Sequence, residues 1–401
     1  MLSGQLKMQK LFRIPLLFLF IGGCIGLMLR WNFISPQAWF DYPNWLHTHS
    51  HIMFLGWILN LLLLVYLYHY DLWHIKQYRI LFTFIQILLA GMMISFPLQG
   101  YGTISIILSV LHTLSLWLFI YWLLKDLKAK PVLTSIWYTR MSLILFIISS
   151  LGPFALAPIM ANGLGHSKWY FFIVYYYLHF QYNGVFIFGV LSLFFHLLEQ
   201  RDIKFNIRKA NQSGILLFVS LFPGYFLSTL WAVPGMIFNL IGLFGAILQL
   251  LALRYFIKCI RGISISLNPF SLWLIIISLL SFSIKSLLQL LSAHPIIAQL
   301  AYEIRPFVIA YLHLVVIGTV TFFLLAWYIE SGLMKIKSPL SILMLIIGFV
   351  GSELTMVLSG ISQFDSFHIY QTQLLFLFSA CLLFGIAMFT AISYSQLQNK
   401  G

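Results

Sequence analysis

Residues Leu46–Tyr70 read "LHTHSHIMFLGWILNLLLLVYLYHY". Between Ile52 and Tyr68 the run is apolar or aromatic apart from Gly56 and Asn60. It is long enough to approach the ~20 residues that a hydrocarbon core requires. Three histidines, His47, His49 and His51, precede it at alternate positions. Imidazoles are costly in lipid, so the stretch sets two questions together: how the chain folds, and what polar groups do at a membrane helix.

Outward from this stretch, the 401 residues are 61% hydrophobic and 8% charged. That is far from a soluble globular composition. Apolar segments recur at roughly 11–29, 49–69, 79–97, 101–124, 138–158, 169–197, 212–230, 235–257, 270–291, 305–329, 339–360 and 370–394. Backbone polar groups must be satisfied within each span, so the expected fold is all-α: a polytopic bundle of about twelve transmembrane helices. Residues 1–401 read as a single transmembrane helical domain, since the connections are short and no soluble module fits between them.

The formal net charge of +14 reflects topology rather than affinity for nucleic acid. Of the 23 Lys and Arg residues, nineteen fall on the side that holds both termini. Three (Arg30, Lys168 and Arg305) fall on the other, and Lys285 lies within a span. This bias predicts N-in and C-in, and a multi-pass protein of the bacterial inner membrane. The connection 30–48, with Trp31, Trp39, Tyr42 and Trp45, suits the outer interface. "IGGC" (Ile21–Cys24) has a lipoprotein flavour, yet the apolar run continues to Leu29 and reads as an uncleaved first helix. The three cysteines are scattered and form no CxxC pair.

With a plain surface, chemistry is expected at the buried polar groups. His47, His49 and His51 sit at or just before the first turn of helix two. If that helix includes them, His47 and His51 share a face and His49 points the other way. His179 lies about ten residues down helix six, and His313 about eight residues, or ~12 Å, down helix ten. His112 is similarly deep in helix four, where it reads as a packing residue. Lys285 and Glu353 lie in the outer thirds of helices nine and eleven, as a buried proton path or an ion pair. His166 and His368 read as outer-surface residues. Neutral imidazole is the commonest metal ligand, and bundle cofactors sit between facing helices. The expected haem ligands are His51 or His49 with His313, His51 being favoured as the deepest, and Arg305 suits the propionates. His179 with Tyr182 is the candidate for a second metal.

The arrangement resembles subunit I of the haem–copper oxidase and nitric-oxide reductase superfamily. That resemblance rests on twelve helices and on histidines in helices two, six and ten. It implies a low-spin haem ligand on helix two, a second-metal ligand on helix six and further haem ligands on helix ten. "YLHFQYNG" (Tyr177–Gly184) and "YLHLVVIG" (Tyr311–Gly318) occupy the latter two places. The helix-two segment also resembles the paired-histidine motif of a haem- and copper-containing membrane family linked to nitric-oxide response, at His49, His51, Met53, Gly56 and Trp57. The implied cofactors are haem and copper or another metal. The implied partner is a respiratory-chain electron donor or subunit.

The chain departs from the oxidase pattern. No histidine occurs between Gln212 and Leu230, where helix seven would carry an adjacent pair. Tyr311 stands in the first place of the helix-ten H-x-H. His179 and Tyr182 are three residues apart instead of four. The usual three-histidine copper centre therefore cannot assemble. The expectation is a haem-binding oxidoreductase relative, with electron transfer or O2/NO handling in place of full oxidase activity. The rival expectation is a proton- or ion-coupled transporter using Lys285, Glu353 and His179, and "SSLGPFALAP" (Ser149–Pro158) is its most broken stretch. A structural subunit of a larger respiratory complex is a third.

Overall fold

In the computed structural model, residues 10–165, 167–232, 235–336, 338–361 and 365–398 are described. Lys7, His166, Lys337 and Lys400 lie outside them, as does the side chain of His368. The described residues are all-helical, with no strand, and twelve helices are long and apolar enough to cross a membrane. They are α1 (Arg13–Ile34), α2 (Tyr42–His69), α3 (Lys76–Gln99), α4 (Thr103–Leu127), α5 (Thr134–Met160) and α6 (Lys168–Gln200). The second half holds α7 (Ile207–Ser228), α8 (Met236–Ile260), α9 (Pro269–Leu291), α10 (Arg305–Glu330), α11 (Leu340–Ile361) and α12 (Tyr370–Ser393). By length and composition this is a multi-pass membrane protein whose outer helix faces meet lipid.

Helix α2 starts at Tyr42, well before the apolar run. Asp41 is its N-cap: the carboxylate accepts from the Asn44 backbone N–H at 3.0 Å, and Pro43 stands in the first turn. Both are strong start signals. The three histidines therefore lie inside the helix, in its second and third turns, and not at its mouth. A short helix, Pro295–Glu303, precedes α10. Helix α5 continues through Pro153 and Pro158, so the broken stretch expected there stays helical.

The chain divides into two compact units. The first comprises residues 1–123, 268–274 and 325–401; the second comprises 124–267 and 275–324. In the first unit, glycines set the helix spacing. A Cβ at Gly348 of α11 would strike the backbone of Leu382 on α12. Close backbone approach through small residues is how membrane helices gain packing energy when lipid is as apolar as the core. Helices α2 and α3 are also clasped by a reciprocal amide pair, Asn60 with Gln86, at 3.0 and 2.9 Å.

In the second unit, side chains cross-link neighbouring helices by donating to backbone carbonyls. Tyr138 Oη reaches Ala210 O at 2.9 Å, Ser213 Oγ reaches Ala252 O at 2.8 Å, and Tyr225 Oη reaches Phe172 O at 2.8 Å. A hydroxyl buried in an apolar bundle needs such a partner.

Three helices differ from the rest. The most apolar stretches of α2, α6 and α10 are 83%, 83% and 67% buried, against 28–44% in the other nine. Each of the three contains a π-helical segment: Ile52–Leu59, His179–Val185 and Leu314–Thr321. π-Helical turns are rare and frequently accompany functional sites. Widening the helix takes carbonyls out of the usual ladder, and hydroxyls of neighbouring helices meet some of them. Ser142 Oγ donates to Val185 O at 2.8 Å, and Ser278 Oγ to Thr319 O at 2.6 Å.

Candidate functional site

Each π segment starts at a histidine or directly after one. The local sequences are "HIMFLG" (His51–Gly56), "HFQYNG" (His179–Gly184) and "HLVVIG" (His313–Gly318). The same spacing, His-x-x-x-x-Gly, occurs at all three. Glycine has no Cβ and lets a neighbour close in where the helix widens: a Cβ at Gly56 would lie 2.8 Å from the Phe18 ring. This threefold repeat was present in the sequence and is the signal that marks the π segments.

In the first unit, the histidines of α2 take two directions. His49 turns towards α1. Its Nδ1 lies 2.9 Å from the Gly22 carbonyl oxygen, and its ring rests on Gly26, where a Cβ would meet Cε1 at 2.9 Å. A carbonyl oxygen can only accept, so Nδ1 carries the proton and Nε2 holds a lone pair. His51 turns towards α3. Its Nδ1 donates to the His47 carbonyl oxygen at 2.8 Å, and its ring stacks on Phe96 at 4.4 Å. That also leaves a lone pair on Nε2. Both imidazoles thus have the second-shell anchoring typical of metal-ligating histidines. His112 of α4 is buried, 2% exposed, and lies within electrostatic reach of His51.

Beside His49 stands Arg30 of α1, which the sequence placed merely among the outer basic residues. Its Nη2 contacts Met356 Sδ at 3.4 Å, and its charge neighbours are Tyr42, Glu353 and His49. Glu353, half-buried on α11, therefore has Arg30 as its charge neighbour in this unit. No sequence spacing links Arg30 to Glu353, which is why only the fold reveals the association.

The second unit holds the other predicted residues. His179 is buried and has both ring nitrogens engaged: Nε2 donates to the Leu221 carbonyl at 2.9 Å, and Nδ1 accepts from Asn183 Nδ2 at 3.2 Å. A metal at His179 would have to displace one of these bonds. Tyr182 is buried beside Tyr311, ring centroids 6.2 Å apart, and its polar neighbour is Asn183. Lys285 of α9 is 1% exposed; its Nζ lies 5.4 Å from the Phe282 ring, with His179 in electrostatic reach. His313 is half-buried at the end of the first α-helical part of α10, and Arg305 is exposed at that helix's first residue.

Among the described residues, no group of three or more His, Cys, Asp and Glu side chains converges to hold a metal ion. In the first unit the imidazoles of His49 and His51 face different neighbours, α1 and α3. Compared with known proteins, the chain matches no family model and no curated protein.

Proposed function

We propose that this chain is an integral membrane haem protein distantly related to oxidase subunit I, and that His49 supplies an axial imidazole. The observation that carries this reading is His49 itself: Nδ1 fixed on the Gly22 carbonyl, the ring seated on Gly26, and a half-buried guanidinium, Arg30, within electrostatic reach. The anchor presents Nε2 as the ligand atom in one tautomer and one orientation. Arg30 suits an anionic haem substituent. Axial ligation thus moves to His49, although the sequence favoured the deeper His51. His313, directly before the π segment of α10, remains the ligand candidate of the second unit.

Haem supplies one-electron redox chemistry when bound, and the protein's part is to hold the imidazole, exclude water and set the local charge. In this reading the chain lies in the bacterial inner membrane with both termini on the basic, cytoplasmic side. It exchanges electrons with a respiratory partner or handles O2 or NO. Haem extraction from protein purified out of haem-replete cells tests it. The expected result is stoichiometric haem in the wild type and loss in His49→Ala; a colourless wild type contradicts the reading.

One observation favours the transporter reading instead: Lys285, a lysine at 1% exposure in the second unit. Buried lysines in membrane helices often mark ion or proton paths. Proton-coupled flux in proteoliposomes that is lost in Lys285→Met and untouched in His49→Ala would favour transport over haem chemistry.

A further inference from the structure

His47 and His51 stand four residues apart in the helical part of α2 that begins at Tyr42. Residues at that spacing share a face. It is not the face of His49, which turns to α1. One aromatic ring spans the two imidazoles: Tyr101 lies 4.6 Å from the His47 ring and 6.0 Å from the His51 ring, edge-on to both. The His51 ring is further fixed by its stack on Phe96 and by its Nδ1–H bond to the His47 carbonyl. Its Nε2 therefore keeps a lone pair. Among the described residues, neither ring nitrogen of His47 has a hydrogen-bond partner. Both histidines are half-buried and Tyr101 is 51% exposed, so the pair is reachable from the end of the helix.

We propose that His47 and His51 form a two-imidazole site for a late first-row divalent cation, Cu2+ or Zn2+, at the N-terminal end of α2. Paired histidines one turn apart on a helix are a standard bidentate arrangement, and neutral imidazole suits these ions. No third protein ligand converges there among the described residues. Water or a small anion fills the remaining positions, which makes the site an exchangeable one and not a closed structural centre. The site uses neither His49 nor His313, so it does not rest on the haem reading.

The test uses the full-length protein in detergent, purified without a polyhistidine tag. Cu2+ is the probe, followed by electron paramagnetic resonance, with Zn2+ as competitor. The expected result is one Cu2+ per chain with hyperfine structure from two imidazole nitrogens, displaced by Zn2+. His47→Ala and His47→Asn should each weaken binding by about tenfold or more. His51→Ala should do the same, while His49→Ala keeps the site. Thermal melting and elution as a single species check that each variant folds. Binding unaffected in both His47 variants, or a signal from no more than one imidazole, overturns the proposal. Haem content measured on the same samples separates the two ideas: loss of haem with copper retained bears on His49 alone, and loss of copper with haem retained bears on His47 and His51.

Discussion

His49 shows how a single imidazole is prepared for one role. Its ring has room because Gly26 has no side chain, and its tautomer is set because the Gly22 carbonyl can only accept. Gly26→Leu should therefore dislodge the ring without touching His49. The expected outcome is haem loss comparable to that of His49→Ala, measured by haem content per chain. His179 is prepared for the opposite role. With both nitrogens committed, it ties α6 to α7 through the Leu221 carbonyl. Asn183→Leu leaves His179 Nδ1 buried without its donor, a change worth about 1–3 kcal/mol. The melting temperature in detergent should fall, and any haem signal should survive.

Helices α2, α6 and α10 are the most buried of the twelve, and a buried helix presents its polar groups to other helices, which is why the proposed chemistry is sought there. The spans themselves were legible as apolar runs. The start of α2 was not, because Asn44, His47, Thr48 and His49 lower the local hydropathy just where the helix begins. Asp41 and Pro43 carried that information as a cap and a first-turn proline instead of as hydrophobicity. Asp41→Ala should cost about 1 kcal/mol and loosen the turns that hold His47 and His51. Faster hydrogen exchange at Asn44–His47 checks this. The π segments were legible only in retrospect, through the His-x-x-x-x-Gly repeat. Periodicity arguments assume a uniform helix and cannot see a local widening. The Gly22 contact to His49 and the Arg30–Glu353 association join distant parts of the chain, and no local pattern encodes them.

At the scale of the whole molecule, the bilayer decides the architecture. Twelve helices satisfy most of their own backbones, and several hydroxyl, imidazole and amide groups link neighbouring helices. The Asn60–Gln86 clasp illustrates the scale of such links, which in membranes are worth about 0.6–2 kcal/mol each. Asn60→Leu should lower stability by that order, read from steric-trap or thermal unfolding in detergent. Charge asymmetry predicts orientation: cysteines introduced in the 125–137 and 198–211 connections should be shielded from an impermeant thiol reagent in intact cells, and one in the 36–40 connection should react.

The central claim is that His49 is an axial haem ligand. The most direct measurement is a dithionite-reduced minus oxidised optical spectrum of the purified wild type beside His49→Ala. The account predicts a Soret band and a redox-sensitive α band in the wild type, both absent from a folded His49→Ala. A haem-free wild type, or a His49→Ala variant with an unchanged spectrum, would contradict it.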